Sequence, residues 1–226
     1  MSRIVVGYKD GVYIPILTSM GESVLTHPLD VIRIRFTNRT NVWRGIRGIY
    51  SGLTYKVIGL IPNRIVFLGG NTIAKKNNID FLTRSIVLGT LQSCVDLPFL
   101  MWRTSAAEGI PFKFNRLPRG LLPLIGRNTI FAIGLFGSRD LRPFQNYYYN
   151  TLIGCVIGVC MSQPLEVIRT QKQSIQKDMN LYNITKKIYG SYGVYGFWRG
   201  VFPRGGIAIV SFLTLSFLQS FLEGQI

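Results

Sequence analysis

The hexapeptide Pro28-Leu29-Asp30-Val31-Ile32-Arg33 returns almost letter for letter as Pro164-Leu165-Glu166-Val167-Ile168-Arg169. An altered copy, Pro98-Phe99-Leu100-Met101-Trp102-Arg103, lies between them, so the unit recurs about every 70 residues. Each intact copy offers a proline, an acid two residues on and a base three further. On a helix, side chains three apart share a face, and a proline that removes a backbone hydrogen bond bends the chain there. Groups of this kind form ion pairs and do no covalent chemistry. An ion pair beside water contributes about 0–1 kcal/mol, and more where water is excluded. Pairs of that strength can form and break. Conventional catalysis finds little here. The single histidine, His27, has no nucleophile or metal-ligand spacing around it and is expected to pack or hydrogen-bond at the helix bend. Cys94, Cys155 and Cys160 sit in apolar stretches without metal spacing, and their odd number gives no disulfide framework. They read as buried, reduced thiols.

The elements that must carry these motifs are long and apolar. Six stretches, Val12–Phe36, Leu53–Ala74, Ile79–Thr104, Gly120–Gly137, Tyr147–Thr170 and Val201–Leu222, each have the length a helix needs to cross a hydrocarbon core. Several hold a mid-span proline or glycine, which membrane helices tolerate when neighbours satisfy the freed backbone groups. So many apolar helices leave too little polar helix to cover them in a soluble protein. The apolar fraction of 47% and mean hydropathy of +0.25 are high for a soluble chain and low for a simple lipid-embedded bundle. They fit helices with lipid on one side and a watery cavity on the other. Small residues at Ser19 and Ser23, Ser85 and Gly89, and Gly154 and Gly158 mark close helix packing.

A net charge of +16 is compatible with nucleic acid, anionic lipid or an anionic solute as partner. Placement decides between them. The connectors after the first, third and fifth stretches hold 15 Lys and Arg, and the opposite side holds 7. That asymmetry is the positive-inside pattern, with both termini on the outer side. The basic excess is thus largely topological, and no nucleic-acid polymer is expected. Met1 to Asp10 lack a charged segment followed by an apolar run and cleavage site, so no cleavable signal is expected there.

A repeated motif of proline, any residue, acid, two residues, base, at the ends of odd-numbered helices, resembles that of the mitochondrial carrier family. The junctions Tyr50-Ser51-Gly52, Pro118-Arg119-Gly120 and Trp198-Arg199-Gly200 are similar to those that open its even-numbered helices. The resemblance implies an all-α membrane protein over residues 1–226, with six transmembrane helices in three pseudo-symmetric two-helix repeats around a central cavity. The repeats would span approximately 10–76, 77–143 and 144–226. It implies a secondary transporter without cofactor or metal, monomeric, multi-pass in the mitochondrial inner membrane. Its partners would be a small anionic solute and the bilayer, with anionic lipid at the junction glycines. Pro28, Pro98 and Pro164 would kink the odd helices. Asp30 would pair with Arg103 and Glu166 with Arg33 in a matrix-side gate, while Leu100 leaves Arg169 without its family partner. Asp96, one turn earlier, is expected either to reach Arg169 or to sit in the cavity as a substrate or proton site. Members are usually longer, so the amphipathic matrix helix is expected only at Leu181 to Tyr189. The outer gate keeps a fitting charge only at Lys75 and Asp140, which puts strict two-gate exchange in doubt.

Family substrate positions, counted along the even helices, fall on Gly59 with Leu60, Arg127 with Asn128, and Ile207 with Ala208. Lys56, Leu124 and Arg204 lie one turn nearer the interior, and Ser19, Glu22, Ser23 and Thr26 flank the first helix's equivalent face. Intramembrane Lys56, Arg127 and Arg204 demand a partner or a function. An anionic solute supplies one, with Arg127 as a bidentate fork. Arg64 is expected to pair with a neighbouring helix or snorkel. Gly59-Leu60 resembles the slot nucleotide carriers use for a flat base, whereas Arg127-Asn128 is more similar to carriers of keto acids and small carboxylates. The resulting expectation is a nucleotide carrier, with carboxylate or phosphate transport, or a transport-inactive membrane scaffold, as alternatives.

Overall fold

A computed structural model describes residues 10–38, 45–109, 111, 120–141, 143–145, 147–174 and 179–222. The helices are α1 (Asp10–Asn38), α2 (Gly45–Ile49), α3 (Leu53–Arg64), α4 (Gly70–Lys76), α5 (Phe81–Glu108), α6 (Leu121–Leu141), α7 (Tyr147–Ser174), α8 (Leu181–Tyr192) and α9 (Val201–Leu222). A π-helical turn, Ile65–Gly69, joins α3 to α4 just after Pro62, and a 3₁₀ turn, Val194–Trp198, joins α8 to α9. No strand occurs among the described residues. Helix α1 packs on α3 and α9, α3 on α5, α5 on α6, α6 on α7, and α7 on α9. The long elements therefore close into a ring.

Four helical stretches, Gly45–Lys76, Phe81–Glu108, Leu121–Leu141 and Tyr149–Gln173, are long and apolar enough to cross a membrane. The first and last expected spans coincide with α1 and α9, of 29 and 22 residues. Leu25, Ile58, Ile86, Leu91, Ile157 and Met161 point outward, as side chains bathed in hydrocarbon would. Cys94 and Cys160 are exposed with them and Cys155 is half-buried, so the expectation of three buried thiols is corrected. An apolar stretch in lipid need not be a protein core.

Where two helices must touch, small residues make it possible. A Cβ on Gly134 of α6 would lie 2.9 Å from Gly158 Cα and 3.0 Å from the Gly154 carbonyl oxygen of α7. Gly89 of α5 faces Thr129 of α6 in the same way, with the Thr129 nitrogen 2.7 Å from such a Cβ. Asp80 caps α5, accepting the Thr83 N–H at 2.9 Å, and that bond holds its carboxyl below the usual carboxylate range.

Each of α3, α6 and α9 is opened by a left-handed glycine: Gly52 at φ 85°, Gly120 at 86° and Gly200 at 81°. Each carbonyl accepts the first helical bond, from Lys56, Leu124 and Arg204 respectively. Each glycine also abuts the motif arginine of another helix. Gly52 faces Arg103, Gly120 faces Arg169 and Gly200 faces Arg33.

The amphipathic helix α8 runs to Tyr192, one turn beyond the expected end. Ile184 and Ile188, one turn apart, are buried with Val167, while Tyr182 and Tyr189 face outward. In the corresponding connector after α1 the described residues form the five-residue α2. The connector over 112–119 lies outside the described residues.

Candidate functional site

The motif ends of α1, α5 and α7 bring their charges to one layer. Asp30 Oδ2 receives Lys56 Nζ at 2.6 Å and Arg103 Nη1 at 3.4 Å, and Oδ1 lies 3.4 Å from Arg33 Nη2. Glu166 is held from its own helix by Arg169, through Nη2 to Oε1 at 2.7 Å and Nε to Oε2 at 2.9 Å. Arg33 reaches Glu166 Oε1 at 3.2 Å and Arg127 reaches Oε2 at 3.2 Å. The structure thus brings together Asp30 with Arg103 and Glu166 with Arg33. It does not bring Asp96 to Arg169. Arg169 is occupied by Glu166, Gln173 and Thr170, all on α7. Neighbours on one helix turn need no interhelical approach, so the local carboxylate wins.

Helices α1, α5 and α7 run unbroken past Pro28, Pro98 and Pro164. The residue before each intact motif proline has a shared task. His27 Nε2 donates to the Ser51 carbonyl at 3.0 Å, and Gln163 Nε2 donates to the Arg199 carbonyl at 2.8 Å. Both carbonyls directly precede a junction glycine. Sequence reasoning anticipated a hydrogen bond for His27 and missed Gln163. The signal available was a polar residue immediately ahead of the proline in both copies. Arg35 was missed as well: its guanidinium donates to the Ala107 carbonyl at 2.8 Å and the Gly48 carbonyl at 2.9 Å, tying α1 to α5 and α2.

Above this layer lies a cavity of about 280 Å³ between α1, α3, α5 and α6. Arg33, Lys56, Arg64, Arg103 and Arg127 line it, as do Glu22, Asp30 and Asp96. Asp96 accepts a hydrogen bond from the Asn63 amide, whose own oxygen receives Gln92 Nε2 at 3.2 Å. Of the two expectations for Asp96, placement in the cavity is the one the geometry matches. Arg64 pairs with Glu22 across to α1 at 3.0 Å. Lys56 also donates to Thr26 Oγ1 at 2.8 Å.

Several expected cavity residues stand elsewhere. Asn128 is buried, donating to Ser93 Oγ at 2.9 Å and accepting from Arg127, so it bridges α6 to α5. Arg204 is buried against α7, with Gln163 Oε1 at 3.1 Å and Ser162 Oγ at 2.8 Å. Ile207 is half-buried and, like Asn128 and Arg204, lies outside the cavity wall. Gly59 and Leu60 do line the cavity, but a Cβ on Gly59 would lie 2.6 Å from Phe99 Cγ. The expected slot for a flat base is filled by the Phe99 ring. The Ser19 side chain lies outside the described residues.

At the other end of the ring, Asp140 pairs with Lys75 at 3.0 Å and with Arg84. Those charges join α4, α6 and α5. The Gln219 and Ser220 side chains lie outside the described residues.

The arrangement holds charge in ion pairs between helices; among the described residues no group of acids, histidines and cysteines is placed to bind a metal. Residues 140–224 match the family model described as "Mitochondrial carrier protein". The chain is 21% identical over 175 residues to "Mitochondrial substrate carrier family protein ucpB" of Dictyostelium discoideum, which covers 70% of this chain and 54% of that protein. It is 33% identical over 78 residues to "Mitochondrial citrate transporter B" of Aspergillus niger, covering 34% of this chain and 26% of that one. It therefore spans about half the length of the first relative and about a quarter of the second. The C-terminal part of the chain, residues 140–224, is thus similar to the mitochondrial carrier family, and four of the described helical stretches are long and apolar enough to cross a membrane.

Proposed function

We propose that this protein is a secondary transporter of a small anionic solute, working by alternating access in the mitochondrial inner membrane. Six membrane helices in three repeats surround its path, and it carries out no chemical step. The observation that carries this reading is the cavity, lined by five cationic and three acidic side chains within about 280 Å³. A surplus of two positive charges in a space of that size suits a di- or tricarboxylate. A nucleotide is the weaker fit, because Phe99 occupies the space over Gly59 that a base would need. The Aspergillus relative, named as a citrate transporter, points the same way. Asp30, Arg33, Arg103, Glu166 and Arg169 form the matrix gate in this reading. Lys75, Arg84 and Asp140 form a partial gate on the outer side. Opening the inner layer means parting several buried pairs, and binding energy from the solute offsets that cost.

Reconstitution into liposomes tests the proposal, with labelled citrate, succinate, phosphate, an amino acid and ATP supplied in turn. Saturable exchange of the carboxylates ahead of ATP is expected. No saturable uptake of any solute by verified folded protein would leave the membrane-scaffold alternative standing. Arg127→Ala is expected to raise KM at least ~10-fold, the loss of one charge-assisted contact. Its folding should survive, because Glu166 keeps Arg33 and Arg169.

A further inference from the structure

In two of the three motif copies, acid and base of the same helix meet: Asp30 with Arg33 at 3.4 Å and Glu166 with Arg169 at 2.7 Å. In the middle copy Leu100 stands where the acid would be. Among the described residues Arg103 keeps a single ion pair, 3.4 Å to the Asp30 oxygen that Lys56 already holds at 2.6 Å. Its Nε is buried without a hydrogen-bond partner among the described residues, and the residue is only 9% exposed. Both Leu100 and Arg103 line the cavity.

The charges of the layer do not balance. Arg33, Lys56, Arg103, Arg127 and Arg169 share two carboxylates, Asp30 and Glu166. Of the two further acids lining the cavity, Glu22 is paired with Arg64, and Asp96 is engaged by the Asn63 amide and makes no ion pair among the described residues. A surplus of buried cations with an unfilled donor calls for a counter-charge, since desolvated charge persists only when paired.

We propose that this vacancy is an anion subsite. One carboxylate of the solute docks beside Leu100 on Arg103, takes the place of the missing acid and completes the charged layer. The proposal rests on the small-anion reading above, but it concerns binding and can be tested without transport. It makes the solute part of the gate: the empty protein has an incomplete layer and the loaded protein a complete one. A second carboxylate on the same solute is then free to meet Arg127 or Lys56 across the cavity, which favours di- and tricarboxylates over monocarboxylates.

Thermal unfolding of the purified full chain in detergent tests this, with citrate, succinate, acetate and chloride added at matched ionic strength. Ligand that binds only the folded state raises the midpoint, by about 5–10 °C at ~100-fold its Kd for a chain of this size. Citrate and succinate are expected to do so, with acetate and chloride far behind. Leu100→Glu is expected to raise the anion-free midpoint and to weaken citrate at least ~10-fold, because the introduced carboxylate occupies the subsite. Leu100→Gln, of the same size and uncharged, should keep the citrate response. If Leu100→Glu fails to fold, Arg103→Gln replaces it, and its citrate response should be lost while Asp30 keeps Lys56 and Arg33. An anionic phospholipid in the micelle should act equally on wild type and Leu100→Glu; a phospholipid response lost with Leu100→Glu would assign the vacancy to a lipid headgroup and overturn the proposal. So would a citrate response absent in the wild type, or undiminished in Leu100→Glu or Arg103→Gln. An intact citrate response with no transport would instead sink the transport reading and leave the subsite standing.

Discussion

Gly200 shows how much one residue can carry at the motif end of the ring. Its φ of 81° costs an L-residue about 1–2 kcal/mol, and a Cβ there would also lie 3.0 Å from Thr37 Oγ1. Gly45 has a similar φ of 69° but open space where a Cβ would go. Gly45→Ala therefore measures backbone strain alone, and Gly200→Ala measures strain plus contact. The thermal midpoint should fall further for Gly200→Ala. Adding Thr37→Ala should recover only the difference between the two, a coupling that a double-mutant cycle reads directly. Equal losses for both glycines would remove the packing role. The junction glycines were legible in the sequence because an aromatic or basic residue stands one or two places before each of them. What each one touches was not, since contact with the motif arginine of another helix depends on how the ring closes. Gly59 makes the same point from the other direction. Its sequence context suggested an open slot, and only the tertiary approach of α5 reveals that Phe99 fills it.

Among the elements, the α6–α7 crossing has the tightest tolerance. A Cβ on Gly154 would lie 1.9 Å from Ser138 Oγ and 2.7 Å from the Gly134 carbonyl oxygen, so neither a rotamer change nor a small side-chain shift makes room. Gly190 in α8 meets nothing within 4 Å. The same substitution should therefore act in opposite directions. Gly154→Ala is expected to lower the midpoint through overpacking, at about 1–3 kcal/mol. Gly190→Ala is expected to raise it slightly, by the ~1 kcal/mol that separates glycine from alanine in a helix interior. A Gly154→Ala protein as stable as wild type would mean that the two helices can separate freely. The spacing of Gly154 and Gly158 announced close packing, and hydropathy placed the apolar spans on the helices that carry them. Periodicity did not locate the end of α8, because Gly190 reads as a stop signal directly after Tyr189, while the helix in fact continues to Tyr192 and is capped at Gly193. Apolar patterning could not distinguish lipid from core either, which is why Cys94 and Cys160 were misplaced.

For the molecule as a whole, long-range pairing was legible where the repeat supplied both partners and illegible where a local partner competed. Asp30 with Arg103 and Arg33 with Glu166 follow from motif copies arranged around a ring. Arg169 departs because Glu166 sits one turn away on its own helix, and no count along the sequence weighs that local bond against a distant Asp96. Charge asymmetry gives a further prediction at this scale. The connector side with α8 carries the basic excess, so α8 should face the interior and the α4–α5 connection should face outward. Single cysteines at Ser191, exposed on α8, and at Asn77, exposed after α4, report on these two ends. With Cys94, Cys155 and Cys160 replaced by serine, an impermeant maleimide should label Asn77→Cys in mitoplasts and Ser191→Cys only in inverted inner-membrane vesicles. Labelling of both from one face would break the ring's orientation in the bilayer, and with it the assignment of the Asp30 and Glu166 layer to the matrix side.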